Sequence, residues 1–307
     1  MRILLRTPEI ELNATAGVSF KGRYKVQVVE GHGTSERIVR ELPWMDNLVL
    51  NSGKDYFFTT PPSLIAFAAK GTDNTAPAVT QTQLGAQVGA RSSTNVGSDT
   101  VVADAATATA TITRTIDFPD ETSPQNYNEA GWAPSNTGAL FSRVVFPATV
   151  TVLAGQRLRL QYSVTSSLSP TVVTPSSPTI TGWDAAGDLR ILSWGAASTG
   201  FVGLTAAGRV AVGEAYGAIT FNTWPAAATV SGTGLTGNRS PNSTSEAAYT
   251  AGTFQRDMTL VWEPGRATGA WAGFAFGSSN LWVHKFTTPQ TKADTHRVTI
   301  NYRVALL

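Results

Sequence analysis

Two groups of carboxylates carry the most explicit chemical potential in this 307-residue chain. Asp117, Asp120 and Glu121 fall together, and Asp257 and Glu263 form a second set. Two carboxyl groups flanking a glycosidic bond are what sugar hydrolysis needs: one protonates the leaving oxygen, the other acts as base or nucleophile. Both sets lie in or beside predicted turns, where acids are ordinarily solvated. The histidines are His32, His284 and His296. His32 sits in a Gly-His-Gly turn, His284 on a strand and His296 just before the final strand. None has the spacing of a metal site, so they read as surface or turn residues. G-x-S-x-G and Walker A motifs are missing, and no G-x-G-x-x-G run opens a predicted helix. No catalytic, cofactor or metal residues are therefore assigned, and an enzyme is not expected.

Tryptophan is the other chemically informative residue. Trp183, Trp194, Trp224, Trp262, Trp271 and Trp282 are concentrated in the second half. Exposed indoles form stacking platforms for sugar rings. Burial in a core or a subunit interface is the competing role, since large aromatics dominate both.

The elements that must position these residues are strands. In Phe141 to Thr165, Val144 to Val152 is rich in Val and Thr, and Ala154-Gly155-Gln156 makes a turn. Leu158, Leu160, Tyr162 and Val164 then alternate with Arg157, Arg159, Gln161 and Ser163, the mark of a strand with one dry face. The design returns at Leu281 to Leu307, where Val298, Ile300, Tyr302 and Val304 alternate with Arg297, Thr299, Asn301 and Arg303. A shift of 140 residues puts Phe146 on Phe286, Arg157 on Arg297 and Tyr162 on Tyr302. Upstream, Arg114 resembles Arg256, and Gly131-Trp132-Ala133 resembles Gly273-Phe274-Ala275. The blocks read as two related β-units, or as strand pairs that look alike because both have period two.

Composition fits this pattern. Hydrophobic residues make up 42% of the chain and charged residues only 14%, which favours packed β-structure over disorder. The net charge is +2 without a basic run, so nucleic acid is not an expected partner. There are no cysteines, which removes disulfides and thiolate metal sites. No apolar run has the length for a membrane helix, and MRILLRTPEIELNAT does not read as a secretory signal.

The expected fold is all-β, sandwich or jelly-roll-like, with one short helix near residues 45–52, capped by Asp46 and stopped by Gly53. Residues 1–16 read as an N-terminal strand or arm. Ser63 to Lys70 reads as a buried strand, 91–105 as a polar connection and Ser166 to Thr179 as a linker or insertion loop. The expected division is an N-terminal β-sandwich domain, 1–166, and a C-terminal β domain, 167–307, with inserted loops at 167–250.

One stretch also carries a resemblance. PWMDNLVLNSGKDYF, a following apolar strand and KGTDNTAPAVTQTQLGAQVGAR, between Pro43 and Arg91, resemble a pattern in bacteriophage virion proteins of the tail-fibre and collar (neck-attached) kind. In those proteins a helix with an Asn/Asp-x-Gly stop precedes a strand, a Gly-Thr loop and an arginine. The likeness covers roughly residues 20–165. The strand at 63–70 lacks the usual Gly-rich ending, and 167–250 has no recognised counterpart. The resemblance implies a structural subunit of a tailed phage, located in the virion and assembled in the host bacterial cytoplasm without a cofactor. Its implied partners are copies of itself, as a trimer or ring, and other virion proteins of the tail or neck. The arm at 1–16 and the strand ending Val304-Ala305-Leu306-Leu307 are candidate contacts between subunits. Alternatives are a module binding glycans or a host receptor, a head-decoration protein and, last, a polysaccharide depolymerase.

Overall fold

The computed structural model describes residues 9–59, 64–104, 109–175, 187–191, 218–219, 238–239, 241–276 and 282–307. Its first strands are β1 (Glu9–Glu30), β2 (Arg37–Glu41), β3 (Met45–Asp46), β4 (Leu48–Val49) and β5 (Phe67–Gly71). Next come β6 (Thr94–Asn95), β7 (Thr100–Asp104), β8 (Thr109–Asp117), β9 (Gln125–Ala133), β10 (Ser142–Val152) and β11 (Gln156–Pro175). The remainder are β12 (Gly187–Ile191), β13 (Ala218–Ile219), β14 (Asn238–Arg239), β15 (Ser243–Glu246), β16 (Gln255–Trp262), β17 (Gly269–Phe276), β18 (Trp282–Lys292) and β19 (Arg297–Leu306). One α-helix, α1 (Asn51–Phe58), lies among them. The fold is all-β.

β1 is the axis of the architecture. It lies inside a ten-stranded sheet ordered β15-β16-β19-β1-β11-β8-β6, with β2 and β3 also on β1 and β7 on β8. A second sheet runs β4-β10-β9-β5 and a third runs β12-β18-β17. Ile10, Leu12, Ala14 and Val18 alternate inward along the first half of β1, as Tyr24, Val26 and Val28 do along the second. Burying each such Val, Leu or Ile side chain contributes about 1.5–3 kcal/mol before entropy is counted.

The two expected units pair by one scheme. β11 runs antiparallel to β1 with Tyr162 opposite Tyr24, Leu160 opposite Val26 and Leu158 opposite Val28. β19 runs parallel to β1 with Tyr302 opposite Ala14, Ile300 opposite Leu12 and Val298 opposite Ile10. β11 and β19 therefore flank β1 in opposite directions, as if related by a twofold axis normal to the sheet near Ser19. The outer hairpins repeat as well. In β9–β10 the ladder jumps from Val145–Glu129 to Val150–Tyr127. In β17–β18 it jumps from Lys285–Gly273 to Gln290–Trp271. An identical irregularity at equivalent places is a specific feature, because a bulge inserts residues at one point of a ladder.

In each unit the small sheet packs on the large one. Tyr24 on β1 shares a 2.9 Å hydrogen bond with Ser142 on β10. Trp132 on β9 stacks on Tyr162 at 5.3 Å. In the other unit Trp262 on β16 meets Trp271 on β17 edge-on at 5.2 Å. This is sandwich packing; the strand order does not carry the jelly-roll reading.

Several expectations change. The helix is displaced from 45–52 to Asn51–Phe58. Residues 45, 46, 48 and 49 are extended because they pair with β1 and β10. Gly53 does not stop the helix but lies within it, where a Cβ would overlap the Phe141 carbonyl oxygen. Helix propagation ends just before Pro61 and Pro62, which disfavour it. The strand expected over 63–70 is β5, shifted to Phe67–Gly71. The connection at 91–105 contains β6 and β7, which cover the edge of β8.

The linker at 166–179 is strand as far as Pro175, since β1 continues to pair with it. The 166/167 division thus falls inside β11. Of residues 1–16, read as a strand or arm, 9–16 are strand rather than arm and lie between β11 and β19, while 1–8 fall outside the described residues. Val304 is likewise internal and fully buried. Finally, the upstream matches slip by two residues. The pairings equate Ala130, not Trp132, with Phe274, and Met258, not Arg256, with Arg114. A two-residue slip keeps every side chain on its face, so alternation alone does not detect it.

Candidate functional site

The outward face of β8 and β11 gathers the first carboxylate set. Leu158, Leu160 and Tyr162 point into the core, so Arg157 and Arg159 point away from it. Arg159 lies directly opposite Asp117. Arg157 Nε donates to Asp117 Oδ2 at 2.8 Å, and Arg159 Nε donates to Oδ1 at 2.6 Å. Both guanidinium groups also reach Glu36, at 2.5 and 2.8 Å, and Arg157 donates to the Gly31 carbonyl at 2.6 Å. Asp120 closes the cluster, 2.8 Å from His32 Nε2 and 3.7 Å from Arg157. The loop between β1 and β2 is thereby clamped to β8 and β11.

The electrostatics argue against acid catalysis at Asp117. Burial alone would push its carboxyl up, but hydrogen bonds from Arg159 and Arg157 and their charges hold it below the usual carboxylate range. The Arg159 hydrogen bond likewise holds Glu36 low. A general acid for sugar hydrolysis needs the opposite shift. Glu121 is also committed. It accepts from Tyr127 Oη at 2.6 Å and pairs with Lys70, whose ammonium lies over the Phe118 and Tyr127 rings.

Beside that pair is a cavity of about 380 Å³, lined by Lys70, Ser93, Thr94, Phe118, Asp120 and Glu121 among others. Asp257 and Glu263, the second set, engage Arg303 and Arg297 on a partly exposed face. A polar cavity of about 460 Å³ opens there, between Asn13, Asp257, Thr259, Asn301 and Arg303. Its side chains bond one another: Asn301 donates to Asn13 and Glu11 and accepts from Thr259.

The second ionic network lies inside the small sheet of the first unit. Glu129 on β9 and Arg143 on β10 are fully buried and 2.7 Å apart. Glu129 also accepts from the backbone N–H of Gly85 and Ala86, at 3.1 and 2.8 Å. Arg143 reaches Asp73 at 2.9 Å and Gln81 at 2.8 Å. The loop after β5 is therefore pinned by one carboxylate and one guanidinium. Arg91, at its end, donates to Gln83 Oε1 and to the carbonyls of Ser135 and Gly138. Arg91 is the arginine that ends the phage-like pattern, but Lys70, Glu129 and Arg143 were not singled out from the sequence. Their signal was a charge inside an apolar run, as in AFAAK, NEAGW and FSRVVF.

The remaining candidates separate. Trp262 and Trp271 are fully buried and pack on each other, so neither presents a ring to a sugar or another subunit. Trp282 lies on β18, while Trp183, Trp194 and Trp224 fall outside the described residues. His284 is not a surface residue: it is buried between the Phe274 and Phe286 rings, at 5.1 and 5.0 Å. Among the described residues no group of three or more His, Asp or Glu is placed to hold a metal ion. Comparisons with protein-family models, curated proteins and solved structures give no match.

Proposed function

We propose that the chain is a structural component of a tailed bacteriophage particle, a tail-fibre, collar or neck-attached subunit that works through oligomerisation. The observation that carries this reading is how its ionisable groups are used. Asp117, Glu121 and Glu129 each fasten a loop or strand to the scaffold through Arg157, Arg159, Lys70 and Arg143. Charges spent on internal fastening suit a rigid building block. The segment that resembles phage virion proteins agrees physically: its loop is held by Glu129 and Arg143, and its terminal Arg91 ties down a neighbouring turn. The copies expected are a trimer or ring, with other tail or neck proteins as neighbours and the virion as location.

The test is the mass of the purified protein by native mass spectrometry and light scattering. A stable oligomer supports a particle subunit. A monomer at every concentration counts against it.

A second reading rests on the cavity beside Lys70 and Glu121. Its volume suits a small saccharide, and its ammonium, carboxylate and hydroxyl groups match sugar hydroxyls. Binding on a glycan array that Lys70→Ala abolishes would favour a host-glycan module.

A further inference from the structure

We infer that the chain pairs with a second copy of itself through β2, about a twofold axis at Val39; this deepens the assembly reading above and rests on it. Every residue from His32 to Glu41 is exposed. Ile38 and Val39 are 50% and 40% exposed, the one adjacent pair of exposed large apolar side chains among the described residues. β2 pairs only with β1 among the described strands, so its other edge offers free backbone groups.

The strand is nevertheless held firmly from behind. Arg37 pairs with Glu30 at 2.7 Å, Glu41 pairs with Lys25 at 2.7 Å, and Glu36 is gripped by Arg157 and Arg159. A surface already ordered loses little entropy on docking.

The sequence of β2, Arg37-Ile38-Val39-Arg40-Glu41, says what fits it. Laid antiparallel on itself with Val39 at the centre, it sets Arg37 against Glu41 of the partner, twice by symmetry. Val39 meets its own copy, and Ile38 lies along the aliphatic stem of the partner's Arg40. That is the self-complementarity an isologous contact requires. A different acidic or basic strand would satisfy one end and repel the other.

β2 also carries a bulge: Val28 faces Arg40 and Val29 faces Ile38, leaving Val39 over. The bulge interrupts the free ladder. It therefore disfavours open-ended strand addition and leaves a closed pair held by side chains.

The experiment is sedimentation velocity and light scattering over a concentration series on four full-length proteins: wild type, Val39→Asp, Arg37→Glu, and Arg37→Glu with Glu41→Arg. Expected is a wild type with an even number of copies and a halving of that mass in Val39→Asp, with far-UV circular dichroism unchanged. Arg37→Glu should weaken association by about tenfold, as two cross-strand attractions become repulsions, and the double variant should restore it. An oligomer that survives Val39→Asp, or an odd-numbered one, overturns this interface while leaving the assembly reading intact. A monomeric wild type overturns both. Failure of the double variant to recover overturns the charge register.

Discussion

Glu129 and Arg143 are diagonal partners across the β9–β10 hairpin, 2.7 Å apart and both wholly buried, and neither charge is repeated at the matching positions of the second unit. The equivalent positions there are Gly273 and Val283, one without a side chain and one apolar. The first unit thus carries a buried ion pair that the shared architecture does not need. Its use is to hold the loop after β5.

Removing Glu129 leaves the fully buried Arg143 guanidinium with only Asp73, which is partly exposed, and the neutral Gln81. Glu129→Gln should cost about 3–5 kcal/mol in chemical denaturation, the range for breaking a buried pair. The double variant Glu129→Gln/Arg143→Met should lose less than the two single losses added. Limited proteolysis should then cut within residues 72–90, because Gly85 and Ala86 bond different carboxylate oxygens and glutamine keeps only one acceptor oxygen for them.

The Asp117 cluster sets a pH dependence. Asp117 and Glu36 both ionise below their ordinary values in the folded protein. Their stabilisation is complete above the unfolded carboxylate range, near about pH 4, and is lost as pH falls through the lower folded values. Melting temperature should therefore drop on acidification below that range. Asp117→Asn should be less stable at neutral pH and should lose less on acidification. Equal acid slopes in both proteins would refute the assignment.

Helix α1 ties the two halves together. Asp55 accepts from Tyr249 Oη at 2.5 Å and from the Gly252 N–H at 2.7 Å, and Tyr249 stacks on Phe58. Burial, then the hydrogen bond to Asp55, pushes the Tyr249 hydroxyl up to about 12. Asp55→Ala should cost about 1.5–3 kcal/mol, as for hydrogen bonds to charged groups. It should also lower the pH at which Tyr249 ionises, read by spectrophotometric titration against a Tyr249→Phe control.

Gly53 and Trp262 probe packing. Gly53→Ala should destabilise although alanine is the better helix former, because the added methyl meets the Phe141 carbonyl. Trp262→Ala should cost about 3–5 kcal/mol by thermal or chemical unfolding, the range for emptying a large aromatic site. A loss of glycan binding without a loss of stability would instead restore Trp262 as a ligand platform.

Alternation was the legible part of the fold. Leu158, Leu160 and Tyr162 declared their face, as did Val298, Ile300 and Tyr302, because one wet and one dry surface leave a period-two trace. The 140-residue relation between β11 and β19 was visible for the same reason. What alternation does not encode is the partner across the ladder. Residues 9–16 alternated as a strand would but left a strand and an arm both open, because their neighbours, β11 and β19, lie far along the chain. Residues 166–175 looked like a linker because Ser, Thr and Pro are turn formers until a long partner strand overrides them. At the candidate site the carboxylates were legible and their neutralisation was not: Asp117 meets Arg157 and Arg159 only because β8 and β11 pair in one register.

The parallel pairing of Ile10 with Val298 fixes an order of events during synthesis. One flank of β1 can zip against β11 once about half the chain has left the ribosome. The other flank is covered early by β2 and β3 over Arg23–Glu30, but its Glu9–Val18 stretch stays an open edge until β19 emerges. Until then Ile10, Leu12 and Ala14 border an uncovered strip, on which neighbouring nascent chains can pair wrongly. Such distant closure is slow, since loop entropy is lost before the contact is gained. The time this strip stays uncovered therefore grows with the time needed to make the second unit.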